Sequence, residues 1–213
     1  MVSLDGFVDG FEPNIGTYYA IASSYRPDAS LVGSTTAKTG ITELPPEEES
    51  DFKKPRIKSS DKRPFWVIPD SRGILKNLLH VYRRMEYCKD VILLVSKSSP
   101  QSYLDYLKER HYDIITTGED YTDYREALEI LYNRYKTRVV ITDSGGTLNS
   151  ILLEEGLVDE ISLLISPVLV GNKNTNLFRS LKLTTQKKKI DLELLKNEII
   201  DKNHVLLVYK VLK

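Results

Sequence analysis

The residues best suited to chemistry lie in "VVITDSGGTLNSILLEEGLVDEISL", positions 139–163. An apolar run, Val139-Val140-Ile141, stops at Thr142-Asp143-Ser144, and Gly145 and Gly146 follow directly. A helical pattern then begins, with apolar residues at Leu148, Ile151, Leu152 and Leu153. Adjacent glycines at such a handover serve one of two ends. Either the turn needs backbone conformations that glycine adopts most freely, or backbone N–H groups must come close to an anion such as a cofactor phosphate. Other chemistries lack a signature. There is no Gly-x-x-x-x-Gly-Lys loop, no Cys-x-x-Cys, no His-x-x-x-His and no Gly-x-Ser-x-Gly elbow. His80, His111 and His204 are scattered and read as surface or edge residues rather than metal ligands. Cys88 is alone, which excludes an internal disulfide, and it reads as a buried or edge thiol ahead of an apolar strand.

The elements that must position these residues show in the hydrophobic pattern. Short apolar runs at 29–33, 65–69, 91–95, 113–117, 138–142 and 160–170 read as buried strands. Helical spacing appears at 99–110, with Ser99 as N-cap and Pro100 at the first helical position. It recurs at 123–135 and at 147–155, the latter closing on Gly156 as a C-cap. Strands alternating with helices imply crossover units and a largely parallel sheet. The tail departs from that rhythm, because 190–200 and 204–212 flank Asp201-Lys202-Asn203 and read as a hairpin of antiparallel strands. The expected fold is therefore α/β, a mixed and mostly parallel sheet flanked by helices, in a single domain over 1–213. Residues 42–62 carry three prolines, an acidic block and many lysines, and read as a long surface loop. Such a loop is either a flap over a site or a plain surface insertion.

Composition narrows the function classes. The 213 residues suit one generous domain. Thirty basic residues balance thirty acidic ones, so the electrostatic footprint of a nucleic-acid binder is missing. Lys187-Lys188-Lys189 is short and reads as a solvated turn. No apolar run is long enough to span a bilayer, and "MVSLDGFVDG" lacks the features of a signal peptide. A cytoplasmic location is expected.

Four segments come in a telling order: "SLDGF" at the start, "PDASLVGSTT" at 27–36, "FWVIPDSRG" at 65–73 and "DSGGTLNSILLEEGLVDEISLLISPVLVG" at 143–171. Together they resemble the riboflavin-biosynthesis reductase domain, whose fold is that of dihydrofolate reductase. The resemblance implies an NADPH-dependent reductase that turns a ribosylamino pyrimidine into its ribitylamino form, with hydride delivered to the sugar carbon exposed by ring opening. In such an enzyme the cofactor carries the reducing chemistry and the protein supplies orientation. The alternatives are a pterin reductase like dihydrofolate reductase, and a non-catalytic ligand-binding homologue.

The resemblance also implies site residues. Gly145 and Gly146 would lie against the cofactor phosphates, with Thr147 adding a hydroxyl donor and Asp143 pointing away. Gly33 and Thr36 match the family's cofactor contacts in "LVGSTT". Ser71 and Arg72 would suit a 2′-phosphate, and so favour NADPH over NADH. Gly118 would be a further strand end facing the cofactor. Asp5 matches a substrate-side position, beside its plainer reading as a turn-forming Asp-Gly. Three features depart from the family: only Met1 and Val2 precede "SLDG", the helix before "DASLVG" carries only Arg26 as a basic residue, and Ser144 stands where bacterial members often have Glu. A homodimer is expected, because the apolar runs 160–171 and 204–212 need cover that few later helices could provide.

Overall fold

The computed structural model describes residues 1–58, 60–142, 144–171, 175–178, 189–201 and 203–213. The expectations for Asp143, Lys187 and Lys188 therefore lie outside the described residues. The elements run β1 (Val2–Ser3), α1 (Ile15–Ser24), β2 (Ala29–Leu31), α2 (Ser34–Gly40), β3 (Phe65–Pro69), α3 (Leu79–Arg83), β4 (Val91–Val95) and α4 (Gln101–Glu109). They continue as β5 (Asp113–Thr116), α5 (Tyr124–Tyr135), β6 (Val140–Thr142), α6 (Gly146–Glu154), β7 (Glu160–Ser166), β8 (Leu192–Ile200) and β9 (His204–Val211). The chain divides into two compact units, Ser23–Ser144 and Met1–Ala22 with Gly145–Lys213. Where the sequence suggests one mixed sheet, the strands are shared between two.

The Ser23–Ser144 unit holds an all-parallel sheet in the order β5-β4-β3-β2-β6. Its centre explains the unbroken apolar runs: all five residues of β4 are buried, as a strand covered on both faces requires. Tyr103, Tyr106 and Leu107 form the buried stripe of α4, at helical spacing. They pack with Ile68, Leu75, Leu79 and Leu93 in one core. Each fully buried aliphatic side chain there stabilises by about 1.5–3 kcal/mol. The start of α5 is capped by the Asp123 carboxylate, which accepts from Glu126 N at 3.0 Å. The cap expected at Ser99 is not made. Pro100 is the N-cap of α4, and Ser99 Oγ instead accepts from Ser96 N at 3.1 Å.

The other unit holds a four-stranded sheet in the order β1-β7-β9-β8. The terminal hairpin is present as β8 and β9, with Ile200 opposite His204. Leu164, Leu206 and Val208 form its small core with Met1, Ile21 and Ile200. The strand expected to reach Val170 ends at Ser166, because Pro167 has no N–H for a ladder; Leu4 N bonds Val168 O at 2.8 Å beyond it. Gly156 does close α6, at φ +67°, while Leu157 N bonds Leu152 O at 2.9 Å. Among the described residues no helix is long and apolar enough to cross a membrane.

The 42–62 segment is neither a flap nor a loose insertion over the residues it anchors. Glu47 takes a two-pronged bond from Arg110 (2.7 and 2.8 Å), and Asp51 is bound by Arg84. His80 Nε2 meets Pro45 O at 2.8 Å, and Lys54 pairs with Asp113 at 2.6 Å. Asp113 opens β5, and Arg110 follows α4. The segment is thus strapped to the amino-terminal edge of the parallel sheet.

Arg110's hydrogen bonds hold the Glu47 carboxyl below its ordinary value of 4.5, and those of Arg84 do the same for Asp51 against 3.8. Carboxylates with depressed values stabilise the fold when ionised, so their contribution is complete above those ordinary values and is lost as pH falls through the folded ones. Arg110→Ala is expected to destabilise by about 1.5–3 kcal/mol at neutral pH and to open 42–58 to proteases. In the parent chain the same opening is expected only on acidification below the ordinary carboxylate range. Urea melts and limited proteolysis at the two pH values decide this; an unchanged midpoint in the variant at neutral pH would show that the strap is not held by this pair.

Candidate functional site

Because the five strands of the Ser23–Ser144 unit are parallel, their carboxyl ends share one edge. From β2 the chain steps through β3, β4 and β5 and then returns to set β6 on the opposite side of β2, with Ala29 facing Val140. The strand order therefore reverses between β2 and β6. In open α/β sheets the segments leaving such a reversal part in different directions and leave a crevice where ligands bind. Gly33 follows β2 there and Ser144 follows β6, and Ser144 Oγ accepts from Gly33 N at 2.9 Å. The residue that departs from the family pattern is thus a clip across the reversal point. Gly33 is the N-cap of α2, and Thr36 lies half-buried in the first turn of that helix.

Beyond β3 the chain makes a tight turn around Asp70. This carboxylate is 2% exposed. Its Oδ1 accepts from Ile74 N at 3.0 Å, and its Oδ2 accepts from Leu75 N and from Tyr103 Oη, both at 2.9 Å. Gly73 completes the turn at φ +70°, and a Cβ there would stand 2.8 Å from the Tyr103 ring. Ser71 and Arg72 sit at the tip; Arg72 is exposed, and neither side chain has a hydrogen-bond or ion-pair partner among the described residues.

Gly118, beyond β5, is explained by its own turn. It has φ +67°, and a Cβ would fall 2.0 Å from Tyr121 O. Its carbonyl accepts from Lys97 N at 3.1 Å, tying the ends of β4 and β5.

In the other unit Gly145 is the N-cap of α6 at φ −74° and ψ 171°, and Gly146 is its first helical residue. Neither has a positive φ. The need for glycine's backbone freedom is thereby removed as an explanation, and the missing Cβ remains. Gly146 is buried and Thr147 is exposed. Asp5 follows β1, and Gly6 N closes a turn onto Ser3 O at 3.0 Å with φ +87° at Gly6. The Asp5 carboxylate accepts from Val170 N at 3.2 Å and Gly171 N at 2.8 Å, and bonding to Ser3 and to these amides lowers its pKa. Its turn-forming role is therefore plain in the geometry.

The parallel-sheet unit brings Gly33, Ser71, Arg72 and Gly118 to one edge, and Gly145 to Thr147 open a helix in the other unit. Sequence reading passed over Asp70, Tyr103 and the bond made by Ser144. An Asp three residues before a Gly after a strand is a turn signal for Asp70; Tyr103 has no local signal. Burial pushes the Cys88 thiol up to about 12, which leaves it unreactive. Among the described residues no group of three or more His, Cys, Asp or Glu is placed to hold a metal.

The family model described as the RibD C-terminal domain matches residues 1–206. A 2,5-diamino-6-ribosylamino-4(3H)-pyrimidinone 5′-phosphate reductase of Aquifex aeolicus is 27% identical over 53% of this chain and 49% of its own length. The protein of the same name from Archaeoglobus fulgidus is 24% identical over 70% of this chain and 65% of its own length. The chain thus aligns with less than two thirds of either relative. A solved structure of a pyrimidine reductase-like protein from Corynebacterium diphtheriae has the same fold, with a TM-score of 0.74 at 15% identity, covering 100% of this chain and 89% of that one.

The clash that a side chain at Gly118 would make with the Tyr121 carbonyl gives a test of its structural role. Gly118→Ala is expected to lower stability by about 2–3 kcal/mol, since φ and the Tyr121 carbonyl both oppose a side chain. A melting curve checks this; an unchanged midpoint would mean that the turn yields easily and that its glycine serves another purpose.

Proposed function

Since the chain belongs to the RibD C-terminal domain family, we propose that it is an NADPH-dependent reductase in riboflavin biosynthesis, acting on a 2,5-diamino-6-ribosylamino-pyrimidinone 5′-phosphate or a close analogue. The observation that carries this reading is the family match itself, which runs through both compact units and so also supports one reductase domain over 1–213. The names of the relatives from Aquifex aeolicus and Archaeoglobus fulgidus supply the substrate class.

Each unit carries residues of its own that suit a phosphate group of such a cofactor. In the parallel-sheet unit Ser71 and Arg72 offer a hydroxyl and a guanidinium with no other partner, which suits a 2′-phosphate. Gly33, Thr36 and Gly118 supply backbone at the ends of β2 and β5. In the other unit the start of α6, with no side chain at Gly145 or Gly146, suits a pyrophosphate oxygen near its N–H groups, and Thr147 adds a hydroxyl. NADPH supplies the hydride when bound; the chain binds and orients. Asp5 stands on the substrate side as the end of a fixed turn. A cytoplasmic location accords with the lone buried Cys88.

We also propose a homodimer. In β8, an edge strand, Leu192, Leu194, Leu195 and Ile199 are between 42% and 72% exposed. Such an apolar edge needs cover in water, and a second copy provides it symmetrically. Light scattering is expected to give twice the 24.4 kDa of one chain, and a mass of one chain removes the dimer.

The catalytic reading is tested by following the loss of reduced nicotinamide with the ribosylaminopyrimidine phosphate and, separately, with dihydrofolate. Turnover of the first alone is expected. Thr147→Glu then isolates the anion site. A carboxylate in the first turn favours the helix yet repels a phosphate, so NADPH affinity is expected to fall more than about tenfold with the melting temperature held or raised. Unaltered NADPH binding in that variant would refute a phosphate at this helix start.

A further inference from the structure

We propose that Asp70 and Tyr103 are positioning residues for cofactor selection: Tyr103 locks the turn at 70–75 so that Ser71 and Arg72 are presented already ordered to the 2′-phosphate. The inference rests on the reading of Ser71 and Arg72 given above and adds the device that makes them effective.

The geometry is specific. A single carboxylate, 2% exposed, gathers two backbone N–H groups and one phenol within 3.0 Å. All three donors come from outside the turn's tip: Ile74 and Leu75 follow it, and Tyr103 reaches in from α4. Asp70 is anchored from behind as well, since its own N–H bonds Leu94 O at 2.9 Å. The tip, Ser71 and Arg72, is therefore held at its base from three directions while its side chains are left without partners. Gly73 packs against the face of Tyr103 so closely that a Cβ would stand 2.8 Å from the ring. The phenol is a reliable donor, because burial first and the Asp70 charge second push its pKa far above the ordinary tyrosine value of 10.0. A turn that needed only to reverse the chain could be closed by backbone bonds and a solvated carboxylate. Burying the charge and tying it to a tyrosine on a helix costs desolvation. What it adds is rigidity at the tip, and a rigid cationic tip binds an anion with less ordering entropy to lose.

Charge arrangement agrees. Lys97, at the neighbouring strand end, is engaged with Glu119 at 2.5 Å. Arg72 thus stands in this stretch as a cation not already neutralised by a protein carboxylate. A point charge on a mobile loop would attract any phosphate. A fixed guanidinium at one strand end discriminates between cofactors that differ by a single phosphate.

The experiment uses the full chain and direct titration with NADPH, NADH and 2′,5′-ADP, on Tyr103→Phe, Arg72→Ala and the double variant. Phe keeps the ring against Gly73 and removes only the hydroxyl. Tyr103→Phe is expected to weaken NADPH and 2′,5′-ADP about three- to tenfold while leaving NADH within about twofold. In the Arg72→Ala background the same change is expected to have no further effect on the NADPH-to-NADH ratio, because Tyr103 acts through the tip. Should Tyr103→Phe fail to fold, Asp70→Asn carries the same cycle. If Arg72→Ala lowers the ratio and the tyrosine or aspartate variant does not, the positioning role is overturned and the Arg72 reading stands. If Arg72→Ala leaves the ratio unchanged, both fall together. Equal weakening of NADPH and NADH by Tyr103→Phe also overturns the proposal, since it marks a general loss of structure.

Discussion

The parallel pairing of β6 against β2 is the constraint on which the candidate site depends. Only three residue pairs make it, Ala29 with Val140, Ser30 with Ile141 and Leu31 with Thr142. So short a ladder needs its register fixed from outside, because a slip by one residue turns every side chain to the wrong face. Both ends are pinned. At the entry the Asp28 carboxylate accepts from Arg138 N at 2.7 Å and Val139 N at 3.0 Å, and Asp28 N bonds Val139 O at 2.8 Å. At the exit Ser144 Oγ takes the Gly33 N–H. With these clips the ends of β2 and β6 are held side by side at the reversal of strand order, the position at which open α/β sheets bind ligands.

The two edges of the same sheet are built by different forces. At the amino-terminal edge the cations are engaged: Arg83 with Asp90 at 2.9 Å, Arg84 with Asp51, Arg110 with Glu47 and Lys54 with Asp113. Arg83 and Arg110 also lie over the rings of Tyr112 and Tyr106, 3.8 and 4.0 Å from the centroids. These partly buried pairs add little net energy over an apolar substitute, but removing one partner is costly, so they fix where the 42–58 segment lies. At the carboxyl edge, beside the exposed Lys97–Glu119 pair, the closures are neutral or buried: a serine clip, a glycine turn and a carboxylate hidden beneath its turn. The consequence is electrostatic. The strap's arginines are committed at the edge opposite the carboxyl strand ends, and Arg72 is left available.

The sequence made the strands visible because each is a run of apolar residues, and every run in 29–142 became a strand. It could not show how they were shared between sheets, since pairing depends on where β6 returns, and no local pattern encodes that. Long-range side-chain partners were equally hidden. Glu47 and Arg110 are 63 residues apart, and Asp70 and Tyr103 are 33 apart. So 42–62 looked like a loose loop from its prolines and charges, though those charges hold it down. Other misses had a local cause within reach. Pro167 marks the end of β7, and Pro100 stands where the helix cap was assigned to Ser99. The site positions were legible as a set only through resemblance, because a Ser-Arg pair or a lone Gly after a strand is common in turns.

The glycines show how structure separates readings that sequence leaves joined. Gly73 and Gly118 have positive φ, and a Cβ at either would strike a ring or a carbonyl; those two are required by the fold whatever the chain binds. Gly145 and Gly146 differ, since both lie in backbone regions open to any residue. Lack of a side-chain cap does not set α6 apart, because α2 and α4 lack one as well. What sets it apart is that both the capping position and the first helical position carry no side chain at all. A serine or aspartate at the cap would stabilise the helix by only about a few tenths of a kcal/mol over Gly145, so the glycines forgo a small gain that a single substitution could supply. That loss is coherent if the first-turn N–H groups are kept for an acceptor that is not part of the chain. A phosphate would meet the requirement, because it is anionic and accepts several hydrogen bonds at once.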